Sequence, residues 1–347
     1  MNRPEFLIRT LRYYAKMRSP HPIYLTDSSN PENSKIITSC IEELKSQVTA
    51  IYNWVPPGID YTNRIFPQVK EAYVCQSGDD DYLIPDTMTK CAEFLEKNPE
   101  YASAGGYAVT FRLVQKGPYG EIKRLADYPR YSVESETASQ RLIDLMRNYF
   151  TITFSVNRTD HMREIWKQET TLISSMNELF PASCCAIAGK SKLMDRLGVV
   201  RHIHDQQYQL VDMVDWLTAK GFHDSYISFR DRLAKRIMEK DNIGQPEAEL
   251  AVKNSFWEYL ETYLTSELRG RRGKENKPKR QSMLRALRSQ MGKSFPILKT
   301  LYRRHIKPLV SDKKEMHYEV IRPDSPYYKD FQNVVDSFSG KDINKGV

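Results

Sequence analysis

Three consecutive carboxylates, Asp79, Asp80 and Asp81, follow an apolar run at 72–76, and a Ser77-Gly78 turn separates them from it. Three negative charges side by side repel one another unless a cation or solvent neutralises them. Two carboxylates one residue apart can share a divalent ion, and that ion can bind the phosphates of a substrate. The same triplet is also typical of a solvated acidic turn, because runs of charge usually face water. The elements around the triplet must decide between these two interpretations.

Strand-like and helix-like patterns alternate around the triplet. A helix is predicted to begin with Asn2 as its cap, and Pro31 and Pro85 each mark the start of another helix. Strands are predicted at 23–26, 48–52 and 72–76. This alternation predicts an α/β fold with a mostly parallel sheet flanked by helices. Ligands bind such sheets at the carboxyl ends of the strands, where Asp27 and the triplet would both lie.

The pattern changes after Gly105-Gly106. Two β-rich runs flank residues 116–120 and predict a β-hairpin, and residues 151–156 predict a further strand. From about Leu193 onward the apolar spacing becomes helical. We therefore predict an α/β unit over residues 1–205, a helical extension over 206–268 and a basic C-terminal segment over 269–347.

Composition indicates a globular protein of the cytoplasm. Hydrophobic residues are 40% and charged residues 28% of the 347 residues. No apolar run is long enough to span a bilayer, and no apolar stretch behind Met1 resembles a signal peptide. The five cysteines form no C-x-x-C pair, so we expect free thiols in a reducing compartment.

The net charge of +8 is concentrated near the C-terminus. Residues 269–314 carry 16 Lys or Arg against Glu275 and Asp312, a local charge of +14 that leaves −6 for the rest of the chain. Apolar residues recur among these cations at near-helical spacing, which is typical of a segment on an anionic membrane surface. Nucleic acid would also attract this charge, and a helix that packs its apolar face on the body would show the same pattern. Nothing else in the sequence indicates a nucleic-acid-binding fold.

Three motifs in order resemble those of bacterial GT-A-type glycosyltransferases, related to the large inverting family that uses nucleotide-diphospho-sugars. They are Asn-Arg-Pro at 2–4, a strand that ends in Asp27-Ser28-Ser29, and Ser-Gly-Asp-Asp-Asp-Tyr at 77–82, which is similar to the D-x-D segment of that family. The resemblance covers about residues 1–205. It implies a nucleotide-sugar half at 1–106 and an acceptor half at 107–205. A family member would carry a central first strand before Asn2, so the resemblance also predicts that this strand is missing here.

The resemblance implies roles for the acidic residues. Asp27 would accept hydrogen bonds from the base or ribose; the alternative is an Asp that serves as a helix cap or a turn residue after a strand. Asp79 and Asp81 would bind Mn²⁺ or Mg²⁺, with Asp79 and Asp80 also contacting the donor. Which two carboxylates of the triplet face the metal is left open.

Two later segments complete the implied site. Glu178 would act as the general base on the acceptor hydroxyl, with Asp160 as a weaker substitute and a helix-surface role as the alternative. In Arg201-His202-Ile203-His204, a strand would place both histidines on one side. His202 and His204 would then be further metal ligands and Arg201 a diphosphate contact, unless the histidines are structural.

The resulting hypothesis is a metal-dependent, inverting glycosyltransferase. It would move a sugar from a nucleotide-diphospho-sugar to a saccharide or lipid-linked acceptor, in the synthesis of a surface polysaccharide or glycolipid, at the inner face of the membrane. One alternative is a sugar-nucleotide nucleotidyltransferase, although the sequence has no Gly-rich phosphate loop near its start. Another is a non-catalytic relic of the fold that binds a membrane or nucleic acid.

Overall fold

The computed structural model describes residues 2–57, 65–166, 174–207, 211–275 and 315–339. Its strands are β1 (Ile23–Asp27), β2 (Ala50–Trp54), β3 (Tyr73–Val74), β4 (Tyr82–Leu83), β5 (Tyr101–Leu113), β6 (Ile122–Tyr128), β7 (Val156–Arg158) and β8 (Lys190–His202). The longer helices are α1 (Pro4–Lys16), α2 (Pro31–Leu44), α3 (Pro85–Lys97), α4 (Ala138–Arg147), α5 (Thr159–Trp166) and α6 (Ser174–Ala188). The C-terminal part is helical, with α7 (Met213–Leu217), α8 (Phe222–Asp241), α9 (Gln245–Glu275), α10 (Met316–Glu319) and α11 (Tyr328–Phe338). The predicted α/β class with a helical C-terminal part is confirmed.

The sheets in the described part of the chain contain both parallel and antiparallel pairs of strands. β5 pairs in parallel with β8, and β1 pairs in parallel with β2. The other pairs, β3 with β7, β4 with β8, β5 with β6 and β5 with β7, are antiparallel. The antiparallel strands are β6, which forms a hairpin with β5, and the short strands β3, β4 and β7. A parallel pair, in contrast, needs a crossover connection between its strands.

The sheet is divided into two pieces. β1 and β2 form a two-stranded sheet, and the order in the other sheet is β3-β7-β5-β8-β4 with β6 beside β5. A cavity of about 540 Å³ lies between β1 and β3 and is lined by residues of both strands. Within the described ranges no strand pairs β1 with β3. The predicted lack of the family's first strand before Asn2 stays a prediction.

Three local predictions fail. Asn2 does not cap α1, whose N-cap is Arg3; the Asn2 side chain instead accepts a hydrogen bond from the Asn30 backbone. Residues 152–154 form a 3₁₀ turn before the short β7. The segment after Leu193 continues as β8, because Leu197, Val199 and Val200 are all buried between neighbouring strands. A strand buried on both faces loses its alternating pattern and is easily mistaken for a helix.

The apolar core joins distant parts of the chain. One cluster packs α4 and α6 against α8 and α9, across the predicted boundary at residue 205. A second cluster packs α1, β4 and β8 against α11 near the C-terminus. The domain boundaries remain predictions. Residues 276–314 and 340–347 of the predicted basic segment lie outside the described residues. In the described ranges, none of the helices has the length and apolar character needed to span a bilayer.

Candidate functional site

The acidic triplet lies in the turn between β3 and β4. The Asp80 side chain packs closely against Gly78 in this turn, since a Cβ atom on Gly78 would lie 2.7 Å from Oδ1 of Asp80. The β4 strand that follows pairs with the end of β8, which carries Arg201 and His202. The end of β8 therefore lies beside the triplet, and the start of α1 is a second distant segment that reaches it.

Arg3, at the start of α1, bridges the first two carboxylates. Its guanidinium donates to Oδ1 of Asp79 and, at 3.3 Å, to Oδ2 of Asp80. It also donates to the backbone carbonyl of Gln206 at 3.1 Å. Burial and the charge of Asp80 raise the pKa of Asp79, although Arg3 lowers it. Burial would also raise the pKa of Asp80, but the hydrogen bond from His204 and the charge of Arg3 bring it below its usual value.

Arg201 pairs with the third carboxylate. Its Nε donates to Oδ2 of Asp81 at 3.0 Å, and the backbone N–H of His202 donates to Oδ1 at 3.2 Å. Asp81 is 2% exposed. Burial raises the pKa of Asp81 to about 6, and the charge of Arg201 lowers it only in part. Asp81 is therefore ionised at neutral pH with both carboxylate oxygens engaged.

The two histidines are adjacent, as the sequence predicted, but their surroundings differ. Their ring centroids are 4.8 Å apart. Nε2 of His204 donates to Oδ2 of Asp80 at 2.8 Å, while Nδ1 accepts from the Gln206 backbone. His202 is 1% exposed and stacks on Phe111. Burial lowers the pKa of His202 to about 3, with a smaller contribution from Arg9, so this ring is neutral.

Arg9 and Arg3 are the site residues that sequence reasoning missed. Arg9 is 1% exposed, and it donates to Nδ1 of His202 at 3.1 Å and to the backbone carbonyls of Pro118 and Asp80. A signal was available for Arg9, because it lies three residues after Phe6 and four before Tyr13, on the buried face of α1. Arg3 carried no such signal.

Asp27 is held by neutral donors. Oδ1 accepts from the Ser29 backbone at 2.9 Å, and Oδ2 accepts from the hydroxyls of Ser34 at 2.9 Å and Tyr52 at 2.8 Å. Burial raises the pKa of Asp27, but these hydrogen bonds outweigh it and leave the pKa below its usual value. Among the described residues, no cation therefore pairs directly with the Asp27 carboxylate.

Asp27 and Asp79 face the same cavity, between β1 and β3. Ser28, Ser29 and Arg3 line it beside them, and apolar side chains of α1, α2, α3 and β3 form part of its wall. Asp80 and Asp81 do not line it. The predicted convergence of two acidic loops is therefore present for Asp27 and Asp79, while their binding roles stay predictions.

Glu178 is exposed on α6 and is not one of the residues that line the cavity. It accepts hydrogen bonds from the hydroxyls of Tyr149 at 3.2 Å and Thr151 at 3.1 Å. The hydroxyl of Tyr128 lies 3.2 Å from that of Thr151, and the Tyr128 ring packs under the guanidinium of Arg201. Glu178 is thus connected through Thr151 and Tyr128 to the Arg201–Asp81 pair. Asp160, the substitute base, pairs with Arg163 at 2.8 Å.

A divalent ion fits the described side chains poorly. Mn²⁺ or Mg²⁺ needs several oxygen or nitrogen ligands free to turn toward it. Of the predicted ligands, Asp81 has both oxygens engaged and His202 accepts from Arg9, while Asp79 is bound to Arg3 and His204 to Asp80. Across the described ranges no three His, Cys, Asp or Glu side chains are arranged to hold a metal. Metal binding at these residues remains a prediction that the observed donor set does not favour.

Comparisons with known proteins add a distant likeness. No family model matches the chain, and no curated protein sequence matches it. Among solved structures, S. aureus TarS, a glycosyltransferase, aligns with 10% identity and a TM-score of 0.46, over 74% of this chain. The alignment covers 41% of the TarS chain, so this protein spans less than half of that structure. The chain is thus similar in part to a glycosyltransferase structure, at a distance at which its own residues must carry the functional argument.

Proposed function

We propose that this protein is a glycosyltransferase that takes its sugar from a nucleotide-diphospho-sugar. The observation that carries the proposal is that Asp27 and Asp79, from two separate strand ends, line one cavity. A carboxylate without a cationic partner, such as Asp27, is suited to accept hydrogen bonds from a ribose or a base N–H. Trp54, which is 49% exposed at the end of β2, donates to the Ser29 backbone beside Asp27 and offers an aromatic face at the same edge.

The reaction we propose is a single displacement. The acceptor hydroxyl oxygen attacks the anomeric carbon of the donor, the bond from that carbon to the diphosphate oxygen breaks, and the nucleoside diphosphate leaves. Glu178 takes the hydroxyl proton, which leaves the sugar attached to the acceptor with inverted configuration. Tyr149 and Thr151 hold the Glu178 carboxylate by hydrogen bonds. A saccharide or lipid-linked acceptor in surface polysaccharide or glycolipid synthesis belongs to the same proposal.

The direct test is a screen of nucleotide-diphospho-sugars against the purified chain, with and without Mn²⁺. Release of a nucleoside diphosphate supports glycosyl transfer, whereas release of pyrophosphate supports a nucleotidyltransferase. Binding without turnover of any donor would support a non-catalytic protein and contradict the proposal.

Variants test the assigned residues. We expect Glu178→Gln to lower kcat by at least 10²-fold with little change in KM, as is typical for loss of a general base. Asp27→Asn should raise KM for the donor. Glu42→Gln is the matched control, because Glu42 is exposed on α2 and pairs only with Lys45 among the described contacts. If Asp160→Asn lowers kcat and Glu178→Gln does not, the base has been assigned to the wrong residue.

A further inference from the structure

We propose that Arg3 takes the place of a divalent cation at Asp79 and Asp80, so that nucleoside diphosphate binding at this edge is independent of metal. The inference deepens the proposed function, on which its nucleotide arm rests. Three adjacent carboxylates need positive charge beside them, and Arg3 supplies it to the first two.

The contacts of Arg3 are those expected of a bridging cation. Its guanidinium is bound to one oxygen of Asp79 and one of Asp80, and the side chain is 20% exposed. Its Nη1 is also anchored by the Gln206 carbonyl. A divalent ion shared by the same two carboxylates would have to displace this guanidinium or lie against it, and like charges at such a distance repel.

The charge balance around the triplet also disfavours a metal. Arg3 neutralises the first two carboxylates in part, Arg201 pairs with Asp81, and the buried Arg9 donates to the Asp80 backbone. Three guanidinium groups therefore lie around three carboxylates. His204 donates a further hydrogen bond to Asp80. The triplet itself therefore has no excess of negative charge with which to attract a dication.

Arg3 is also placed to contact an anion. It lines the cavity together with Asp27 and Asp79 and lies at the first residues of the chain beside α1. A guanidinium has five N–H donors in a fixed fork, so it can remain bound to carboxylates while it donates to a phosphate oxygen. Arg3 is therefore the group that we expect to contact the donor diphosphate.

The first test measures Mn²⁺ binding to the full chain by electron paramagnetic resonance, without any nucleotide. We expect Mn²⁺ to bind the wild-type protein weakly and to bind Arg3→Ala at least tenfold more tightly, since the competing cation is gone. Arg12→Ala is the matched control, because Arg12 lies on α1 and pairs with Glu43 away from the cluster. Arg3→Gln serves as a second variant, and circular dichroism verifies that each variant is folded.

The second test measures binding of UDP and GDP by calorimetry, in EDTA and in Mn²⁺. The wild-type affinity should agree within about twofold between the two conditions, and Arg3→Ala should bind at least tenfold more weakly in EDTA. Tight Mn²⁺ binding to the wild-type protein, or equal Mn²⁺ affinity in wild type and Arg3→Ala, would overturn the proposal, as would loss of nucleotide binding in EDTA. If no variant binds either nucleotide in any condition, the proposed function fails, while the Mn²⁺ comparison still decides whether Arg3 occupies the cation position.

Discussion

Asp27 and Asp81 are both buried carboxylates near strand ends, but their environments act on them in opposite ways. Asp27 is 6% exposed and its donors in the described ranges are all neutral, yet its pKa lies below the usual value despite the effect of burial. Asp81 has a guanidinium partner, yet burial raises its pKa to about 6. Asp27 lines the cavity, so fewer protein atoms surround its charge. Asp81 does not line the cavity and is only 2% exposed. Loss of solvent can therefore outweigh a salt bridge.

The largest expected change in stability comes from removing Arg201, the cationic partner of Asp81. Arg201→Ala leaves a buried carboxylate without its cation and should lower the free energy of unfolding by about 3–5 kcal/mol. Urea denaturation at pH 7 measures this loss. Arg147→Ala, which removes an exposed pair with Glu258, should have a far smaller effect. The double variant Arg201→Met with Asp81→Asn should recover much of the stability, and an equal loss in Arg201→Ala and Arg147→Ala would contradict the account of Asp81.

The pH dependence of stability should have opposite signs at the two carboxylates. The folded pKa of Asp81, about 6, lies above the unfolded value, so the native state holds this proton up to a higher pH than the unfolded chain does. The stability difference between wild type and Asp81→Asn should therefore fall as pH rises from about 4 to about 6, by up to about 3 kcal/mol.

Asp27 provides the contrast, because its folded pKa is lowered. The stability difference between wild type and Asp27→Asn should be fully present above about pH 4 and should be lost as the pH falls through the folded pKa. Urea titrations of the three proteins between pH 3 and pH 7 measure both differences. Curves of the same sign for the two variants would show that the environments do not differ as described.

A smaller effect is expected from a single neutral donor to Asp27. Tyr52→Phe removes the hydroxyl that donates to Oδ2 of Asp27 at 2.8 Å. A hydrogen bond to a charged group stabilises by about 1.5–3 kcal/mol, and the Ser34 hydroxyl remains as a donor, so we expect a loss near about 1.5 kcal/mol. Thermal unfolding at pH 7 measures it. The control is Tyr24→Phe, on the same strand as Asp27, which removes a hydroxyl that donates to Glu71 instead. An equal loss of stability in Tyr24→Phe would contradict the expectation that the hydrogen bond to Asp27 contributes more.

The smallest effect concerns the loop that follows Asp27. Asn30 caps α2, and its side chain accepts from the backbone N–H of Asn33 at 2.9 Å. Asn30→Ala should cost about 1 kcal/mol. Asn30→Ser keeps the capping oxygen and should restore most of the stability measured by thermal unfolding. If both variants match wild type, the cap contributes nothing to holding this loop.

The α/β class and several elements could be predicted from local pattern alone. Pro31 and Pro85 mark the starts of α2 and α3, and the Gly-rich segment at 116–120 connects β5 to β6 as predicted. The direction of the strands could not, because antiparallel and parallel partners show the same propensities and differ only in which distant segment lies alongside. The pattern after Leu193 predicts helix and not β8 for a different reason, because a strand buried on both faces lacks the alternation of apolar and polar residues.

By itself the sequence determined that acidic residues follow two strands and would meet at one edge, since strand ends and turns are local features. Only the tertiary structure decided what those carboxylates contact. Arg3 reaches Asp79, Arg201 reaches Asp81 and Tyr52 reaches Asp27 across long stretches of chain. The charge state of a carboxylate and its capacity to bind a ligand depend on its burial and on such contacts. These contacts exist only once β1 has paired with β2 and α1, β4 and β8 have packed together.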